Sequence, residues 1–215
     1  MPSAREDILA RLRGALRDVP PSERADEMPV ARGYRRAADA SLERFAERLR
    51  DYHATVVHCP ADAVAATVAG ACADRGVRRL AIPPGLPQEW RPDGVALVED
   101  HGLTAHELDG IDGAFTGCAA AIAETGTLIL DGGATCGRRA LTLVPDLHIC
   151  VVRGEQLVAL VPEGIAAVAD AVIGEQRPIT LVSGPSASSD IELTRVEGVH
   201  GPRQLLVVIA EALVR

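Results

Sequence analysis

The stretch that decides the fold reads AAAIAETGTLIL and spans Ala119–Leu130. Its first five residues, 119–123, are small and apolar and predict a short buried helix. Thr127–Leu130 is β-prone and has the continuous apolar character of a strand that is covered on both faces. The sequence Glu-Thr-Gly at 124–126 joins the two segments. The stretch therefore predicts a short buried helix followed by a covered strand.

The joint between these segments carries a charge. A carboxylate between two buried segments must be paired, open to a cleft or shifted in pKa, because burying an isolated charge costs several kcal/mol. Gly126 supplies a backbone that can adopt a positive φ or let a ligand approach closely. Two interpretations of Glu124 stay open: it is a residue of a functional site, or it lies on an ordinary loop at the sheet edge.

The chain after Tyr52 alternates short apolar strands with amphipathic helices. We predict strands at 54–58, 79–82, 95–98, 147–152, 179–182 and 203–213, helices at 61–75 and 164–174, and a turn or short helix at 103–108. This alternation predicts an α/β sheet that is covered on both faces. In open sheets of this kind ligands bind beyond the carboxyl ends of the strands, so the site is expected in the loops that follow them.

The N-terminal part has a different organisation. Residues 3–17 have apolar side chains at helical spacing, with Ser3 and Glu6 placed for a capping box. A second helix is predicted over 41–52. The proline-containing segment 18–33 is interpreted as a linker or as a strap that lies on the body of the protein. We therefore divide the chain into a helical extension, 1–52, and an α/β domain, 53–215.

Composition excludes several classes of function. The net charge of −8 and an aromatic content of 2% oppose nucleic-acid binding, since there is neither positive charge nor a platform for stacking bases. No apolar run approaches the ~20 residues of a membrane span, and the charged N-terminus does not resemble a secretory signal. We expect a cytoplasmic protein.

The cysteines argue against a metal centre in this chain. There are five, an odd number, widely scattered and without a CxxC pair. Neither a set of iron–sulfur ligands nor a zinc site is visible, so we expect buried thiols, no metal and no intrinsic cofactor. The chain also lacks the GxGxxG and P-loop nucleotide motifs.

Two loops could bind an anion. Arg138 and Arg139 follow a glycine-rich loop and could hold a carboxylate or phosphate, although arginine pairs are also common on solvated surfaces. The loop Ser183–Ser186 is predicted to run from a strand to the N-terminus of a helix that begins near Ser189, an arrangement that presents free backbone N–H groups. The sequence therefore gives two candidate anion-binding segments.

Two histidines differ in their surroundings. His148 lies in an apolar strand, where a histidine is more often a structural hydrogen-bonding group than a ligand contact. His200 lies in a tight turn beside Gly201 and is the better candidate for proton transfer or ligand contact.

Four separated motifs, in this order and at this spacing, carry a resemblance to a known family. They are AIAETGTLILDGG at 121–133, GRRALTLVPDLHICVV at 137–152, SGPSASSDIE at 183–192 and GVHGP at 198–202. Together they resemble the lactate utilization protein C family of the LUD domain superfamily, over roughly residue 95 to the C-terminus. The chain departs from the pattern at Ala187, where related sequences often have a basic residue.

The resemblance implies a three-layer α/β/α sandwich with a mostly parallel sheet, like that of the NagB/RpiA/CoA-transferase group. It also implies a role in oxidising L-lactate to pyruvate beside partner proteins that carry the iron–sulfur centres. On the first interpretation the chain is a noncatalytic subunit that binds a small anionic metabolite or nucleotide. On the second it is an enzyme acting on acyl or phosphate-bearing substrates, with Glu124 as nucleophile or base, as in CoA transferases.

The candidate site residues follow from these motifs. The catalytic candidates are Glu124 and His200. The candidate ligand-binding residues are Thr125, Gly126, Thr127, Arg138, Arg139, Ser183, Gly184, Ser186, Asp190 and Gly201.

Overall fold

The computed structural model describes residues 3–20, 31, 33–188, 196–197 and 201–211. They fall into two compact units, Met1–Tyr34 and Arg35–Arg215. The first unit contains helix α1 (Ala4–Ala15), which begins with the predicted capping box between Ser3 and Glu6. Most of the expected linker, 21–30 and 32, lies outside the described residues.

The second unit mixes helices and strands throughout. Its helices are α2 (Leu42–Asp51), α3 (Val64–Arg75), α4 (Ala105–Asp109), α5 (Arg139–Leu143), α6 (Val161–Ala167) and α7 (Ala169–Ile173). Its strands are β1 (Thr55–Pro60), β2 (Arg79–Ile82), β3 (Ala96–Glu99), β4 (Gly113–Gly117), β5 (Ala120–Ile122), β6 (Thr127–Leu130), β7 (Leu147–Arg153), β8 (Leu157–Val158), β9 (Thr180–Val182), β10 (Ala187–Ser188), β11 (Val196–Glu197) and β12 (Gln204–Glu211). Short 3-10 helices occupy Ala61–Ala63, Gln88–Trp90 and Gly154–Gln156.

A six-stranded sheet forms the centre of this unit. Its order is β1-β12-β7-β4-β2-β3, and every neighbouring pair is parallel. β12 is apolar along most of its length because it lies between two strands and is covered on both faces. Leu206 and Val208 face one core, whereas Leu205 and Val207 face the other. The predicted parallel α/β sheet is confirmed.

Helices cover both faces of this sheet. α3 packs on one face through Val64, Val68 and Cys72. α2 packs on the opposite face, where Phe45 and Leu49 are completely buried. Helix α2, the second of the two helices that we assigned to the N-terminal extension, therefore packs within the unit 35–215.

A second, four-stranded sheet was not expected, and it corrects one prediction. Its order is β8-β5-β6-β9. The segment 119–123, predicted as a helix, instead contains strand β5, which pairs with β6 on one side and β8 on the other. Alanine favours helices, but a segment this short cannot nucleate one alone, and hydrogen bonds to two neighbouring strands override the preference.

The second sheet lies on the α2 side of the central sheet. Leu128 and Leu130 of β6 share a core with Cys150 and Leu205 of the central strands. α6 covers its other face. Among the described residues, strand β9 pairs only with β6, and its Leu181 is 54% exposed. The prediction that 179–182 is a covered strand was therefore wrong about its burial. An edge strand has one neighbour fewer to shield its side chains.

Candidate functional site

A pocket of about 390 Å³ lies between the two sheets of the second unit. Parts of α5, β7, β9 and β12 line it, together with the end of α2 and the segments 183–186 and 201–202. Its polar side chains are Tyr52, Thr142, His148, Thr180, Ser183 and Ser186. Its volume is in the range of small-molecule sites, and apolar walls with a few polar groups are typical of such sites.

The pocket lies at the end of the central sheet opposite to the one we expected. His148 and Leu205 are the second residues of β7 and β12, so the pocket is near the amino ends of these strands. Beyond the carboxyl end of β4, the loop 131–137 packs closely: Gly117 N–H donates to the Thr135 carbonyl at 2.9 Å. A Cβ on Gly85 would lie only 2.6 Å from the Ala134 carbonyl oxygen. The loop 131–137 is therefore closely packed where it follows the central sheet.

The predicted serine loop does line the pocket. Ser183, Gly184 and Ser186 face it, together with Gly201 of the predicted Gly-Pro corner. Gly184 has φ of +119°, and a Cβ there would lie 2.6 Å from the Tyr52 Cβ, so only glycine fits against the end of α2.

The serine loop differs from the predicted anion site in its backbone. Ser186 N–H donates to the Pro202 carbonyl at 2.8 Å, so this N–H is not free for a ligand. The loop runs into strand β10, which pairs with β11, rather than directly into a helix. The predicted helix start at Ser189 and the candidates Asp190 and His200 lie outside the described residues.

A chain of hydroxyl groups connects the Glu-Thr-Gly joint to the pocket. Thr125 Oγ1 lies 2.7 Å from Thr127 Oγ1, which lies 2.7 Å from Ser183 Oγ. The joint is the turn between β5 and β6, and the pairing of β6 with β9 places Thr127 beside Ser183, the residue that follows β9. The tertiary structure therefore brings together two predicted segments that are far apart in sequence.

Glu124 itself points elsewhere. Its carboxylate accepts a hydrogen bond from Arg35 Nη2 in an ion pair, with the Glu124 side chain 37% exposed. It is not among the residues that line the pocket. Gly126, at φ of +62°, packs so closely on α2 that a Cβ would lie 2.7 Å from the Arg48 Cβ. Close packing explains this glycine without a ligand.

The two arginines have different surroundings, and neither side chain lines the pocket. Arg138 donates from Nε and Nη2 to the two carboxylate oxygens of Asp100, at 2.7 and 2.9 Å. Burial opposes ionisation of Asp100, but the bonds from Arg138 and from the Leu103 and Gly102 N–H groups outweigh it and lower the pKa of this carboxyl. Arg139 is exposed and has no ion-pair partner within the described part of the chain. The prediction that the two arginines bind a ligand together is not supported by Arg138, because its guanidinium binds Asp100.

His148, which we predicted to be a structural residue, lines the pocket. Its side chain is 1% exposed, and its Nε2 lies 2.8 Å from the Thr116 hydroxyl. Burial lowers the pKa of His148 to about 4, so the ring is neutral at pH 7. The residue is thus both buried and part of the pocket wall.

Sequence reasoning missed Tyr52, Thr142 and Thr180 as pocket residues. Thr142 and His148 lie inside the motif 137–152, but nothing in their local spacing marks them as neighbours in space. They meet because α5 and the start of β7 converge on β9.

All five cysteines are buried, as predicted. Burial raises the pKa of Cys59 and Cys72, and it raises that of Cys136 to about 12, so these thiols stay protonated at pH 7. Within the described ranges, no three His, Cys, Asp or Glu side chains cluster as a metal site. The same ranges contain no helix of the length and apolar character that crossing a membrane requires.

Comparison with known proteins agrees with the motifs. The LUD domain family model matches residues 42–210. The chain is 50% identical over 169 residues to a protein named lactate utilization protein C from Deinococcus radiodurans, covering 78% of each chain. It is 28% identical over 225 residues to an uncharacterized protein of Neisseria meningitidis, covering 96% of this chain and 93% of that protein.

A solved structure extends the likeness to three dimensions. The crystal structure of a DUF162 family protein from Deinococcus radiodurans matches with a TM-score of 0.68 and 42% identity, covering 79% of this chain and 95% of that chain. The match of the family model over most of the sequence, together with the relative that is 50% identical and this structure, shows that the chain belongs to the LUD domain family.

Proposed function

We propose that this protein is a component of a lactate utilization system, in which L-lactate is oxidised to pyruvate. The observation that carries the proposal is the 50% identity, over 78% of both chains, to a protein named lactate utilization protein C. Two chains with this identity over most of their length share a fold, which supports a shared role. The role in lactate utilization therefore extends from the relative to this chain.

Within that system we place the protein as the subunit without iron–sulfur ligands. Cluster ligands are cysteine thiolates held close together. Here the cysteines are buried, and Cys59 and Cys72 lie in a different core from Cys118, Cys136 and Cys150. The clusters then belong to partner proteins, and this chain has no intrinsic cofactor.

The ligand of this subunit is a small anionic metabolite or a nucleotide bound in the pocket. Ser183 and Ser186 offer hydroxyl donors there, with Tyr52 and His148 nearby. Since neither Arg138 nor Arg139 lines the pocket, neutral donors take the place of the expected arginine pair. A carboxylate can be bound in this way, because hydrogen bonds to a charged acceptor are stronger than neutral ones.

The alternative, an independent enzyme with Glu124 as nucleophile or base, has less support. A carboxylate nucleophile must reach the substrate and stand near an oxyanion donor. Glu124 is held by Arg35 and is not among the residues that line the pocket. This geometry fits a surface ion pair better than a nucleophile.

Growth tests the proposed role directly. Deleting the gene is expected to abolish growth on L-lactate but not on glucose, and expressing the intact chain is expected to restore it. The Ser186→Ala variant should restore growth only partly, whereas Arg139→Ala should restore it fully, because only Ser186 lines the pocket. Unimpaired growth of the deletion strain on lactate would refute the role.

A thermal-shift screen with lactate, pyruvate, nucleotides and CoA tests the ligand separately. A ligand that binds only the folded state raises the melting temperature, and the shift grows with the logarithm of the ligand concentration once this exceeds Kd. A shift with lactate, pyruvate or a nucleotide is expected in the intact protein and should be smaller in Ser186→Ala. No shift with any of them would contradict the ligand-binding part of the proposal.

A further inference from the structure

Two chains of neutral hydrogen-bonding groups end in the same pocket. The first passes from Thr125 through Thr127 to Ser183, with both oxygen–oxygen distances at 2.7 Å. The second is the pair of Thr116 and His148, joined at 2.8 Å. Ser183 and His148 both line the pocket, so each chain presents one polar group to whatever occupies it.

The first chain can point in either direction. A hydroxyl group has one donor and two acceptor positions, so a row of hydroxyls can reverse every hydrogen bond by rotation alone. Thr125 is half-buried, so water can donate to it or accept from it at the outer end. Ser183 can therefore donate a hydrogen bond into the pocket in one arrangement and accept one in the other.

The second chain can also reverse. If the Thr116 hydroxyl donates to Nε2 of His148, the ring proton is on Nδ1; if Nε2 donates to Thr116, Nδ1 is an acceptor. Thr116 is the only hydrogen-bond partner that the described residues give this ring. In that part of the chain, the buried side-chain nitrogens and oxygens without a hydrogen-bond partner are Arg91 Nε and Arg177 Nε. His148 Nδ1 is not among them, which indicates that this nitrogen is accessible from the pocket that His148 lines.

We propose that this pocket binds both members of an alcohol–carbonyl pair. Ser183 and His148 donate to the carbonyl, whereas one of the two groups reverses and accepts from the alcohol. The identification of this pair as L-lactate and pyruvate, a 2-hydroxy acid and its 2-oxo acid, rests on the proposed function. The two acids carry the same charge and almost the same shape, so hydrogen bonding at C2 is what distinguishes them. A pocket whose polar groups can reverse does not discriminate at that position.

The charge of the described lining fits this inference. It contains neither an arginine nor a carboxylate, and burial keeps His148 neutral. A fixed cation at C2 would favour the carbonyl, and a fixed carboxylate would favour the alcohol. The neutral groups of the described lining carry no such bias.

Calorimetry on the full chain at pH 7 tests the inference. L-lactate and pyruvate are expected to bind with affinities within about threefold of each other. A second, uncharged pair, glycerol and dihydroxyacetone, shows whether the reversal operates without a carboxylate. A preference of more than about twentyfold for one member of the lactate pair, or binding of neither pair, would overturn the inference.

Three threonine variants separate reversal from simple support of the pocket. Thr116→Val puts a methyl group against Nε2, and since a buried N–H without an acceptor is costly, the proton moves to Nδ1. The ring then only donates, and the ratio of affinities should shift by about fivefold toward the carbonyl member. Thr127→Val removes an anchor of Ser183 and should weaken both members equally. Thr55→Val, on the exposed face of edge strand β1, should change neither.

The outcomes distinguish this inference from the proposed function. If Thr116→Val weakens both members equally, reversal at His148 is wrong, whatever the growth experiment shows. If the deletion strain grows on lactate while the ratio shifts as expected, the role in lactate utilization fails and the reversible pocket stands.

Discussion

Arg138 holds the carboxylate of Asp100 through two hydrogen bonds of 2.7 and 2.9 Å. The Asp100 side chain is 2% exposed, so the pair joins the end of β3 to the start of α5 at a buried point. An arginine that pairs with a buried carboxylate is committed to the fold, because removing it leaves that charge without its main partner.

Replacing this arginine should cost stability, whereas replacing its neighbour should not. Arg138→Ala is expected to lower the free energy of unfolding by about 2 kcal/mol, since solvent at the partly exposed guanidinium limits the loss. Arg139→Ala, which breaks no ion pair among the described residues, should change it by less than about 0.5 kcal/mol. Urea denaturation of both variants checks the difference. Equal effects would contradict the structural role of Arg138.

Gly126 should be far less tolerant of a side chain than a glycine with open space around it. Gly126→Ala places a Cβ 2.7 Å from the Arg48 Cβ, on a backbone with φ of +62°. The expected loss is about 3 kcal/mol, combining the strained φ with overpacking. Gly94→Ala also has a positive φ, +76°, but nothing within 4 Å, so it should lose only about 1 kcal/mol. Thermal or urea unfolding of the two variants measures the part of the loss of stability that comes from the steric clash. Similar losses in both variants would mean that α2 moves to accommodate the side chain.

The buried His148 predicts a dependence of stability on pH. Burial lowers its pKa from 6.5 to about 4, so between these values the unfolded chain takes up a proton that the folded chain does not. The neutral His148 therefore contributes about 3 kcal/mol to the free energy of unfolding. This contribution is complete above pH 6.5 and is lost as the pH falls to about 4.

Urea unfolding between pH 7 and pH 4.5 measures this loss. The His148→Gln variant should have a smaller decrease over that range, because glutamine does not titrate. His106→Gln replaces an exposed histidine on α4 and should behave like the unaltered protein. If His148→Gln keeps the full decrease, another group is responsible.

Glu124 provides a test of the enzyme alternative. Because its ion pair with Arg35 is largely exposed, Glu124→Gln should change stability by less than about 1 kcal/mol. If the carboxylate is functional, this variant abolishes growth on lactate while Arg35→Gln does not. If growth on lactate is normal with both variants, Glu124 is a surface residue. Equal loss of growth in both variants would indicate that the ion pair itself is needed.

The central sheet could be read from the sequence because its strands are continuous apolar runs bounded by turns. Leu205–Ile209 is apolar on both faces, which only a covered strand requires. The second sheet could not be read in this way. Its strand β5 has only three residues, Ala120–Ile122, two of them alanine, and such a segment becomes a strand only when neighbours supply its hydrogen bonds.

The candidate site shows the same division. The serine loop and the turn at 124–126 were recognisable as irregular, polar segments between apolar elements. That Thr127 would bond to Ser183, 56 residues away, and that Arg138 would turn to Asp100, depended on which strands became neighbours. His148 was interpreted as structural because its position in an apolar strand does not indicate whether a pocket lies next to it.

The sequence by itself determined the α/β class, the capping of α1, the buried cysteines and the family, because these depend on local pattern and composition. Only the tertiary structure decided where the pocket lies and which side chains meet there. The physical reason is that strand order and the packing of two sheets are set by contacts between distant segments, and no local spacing of residues encodes them.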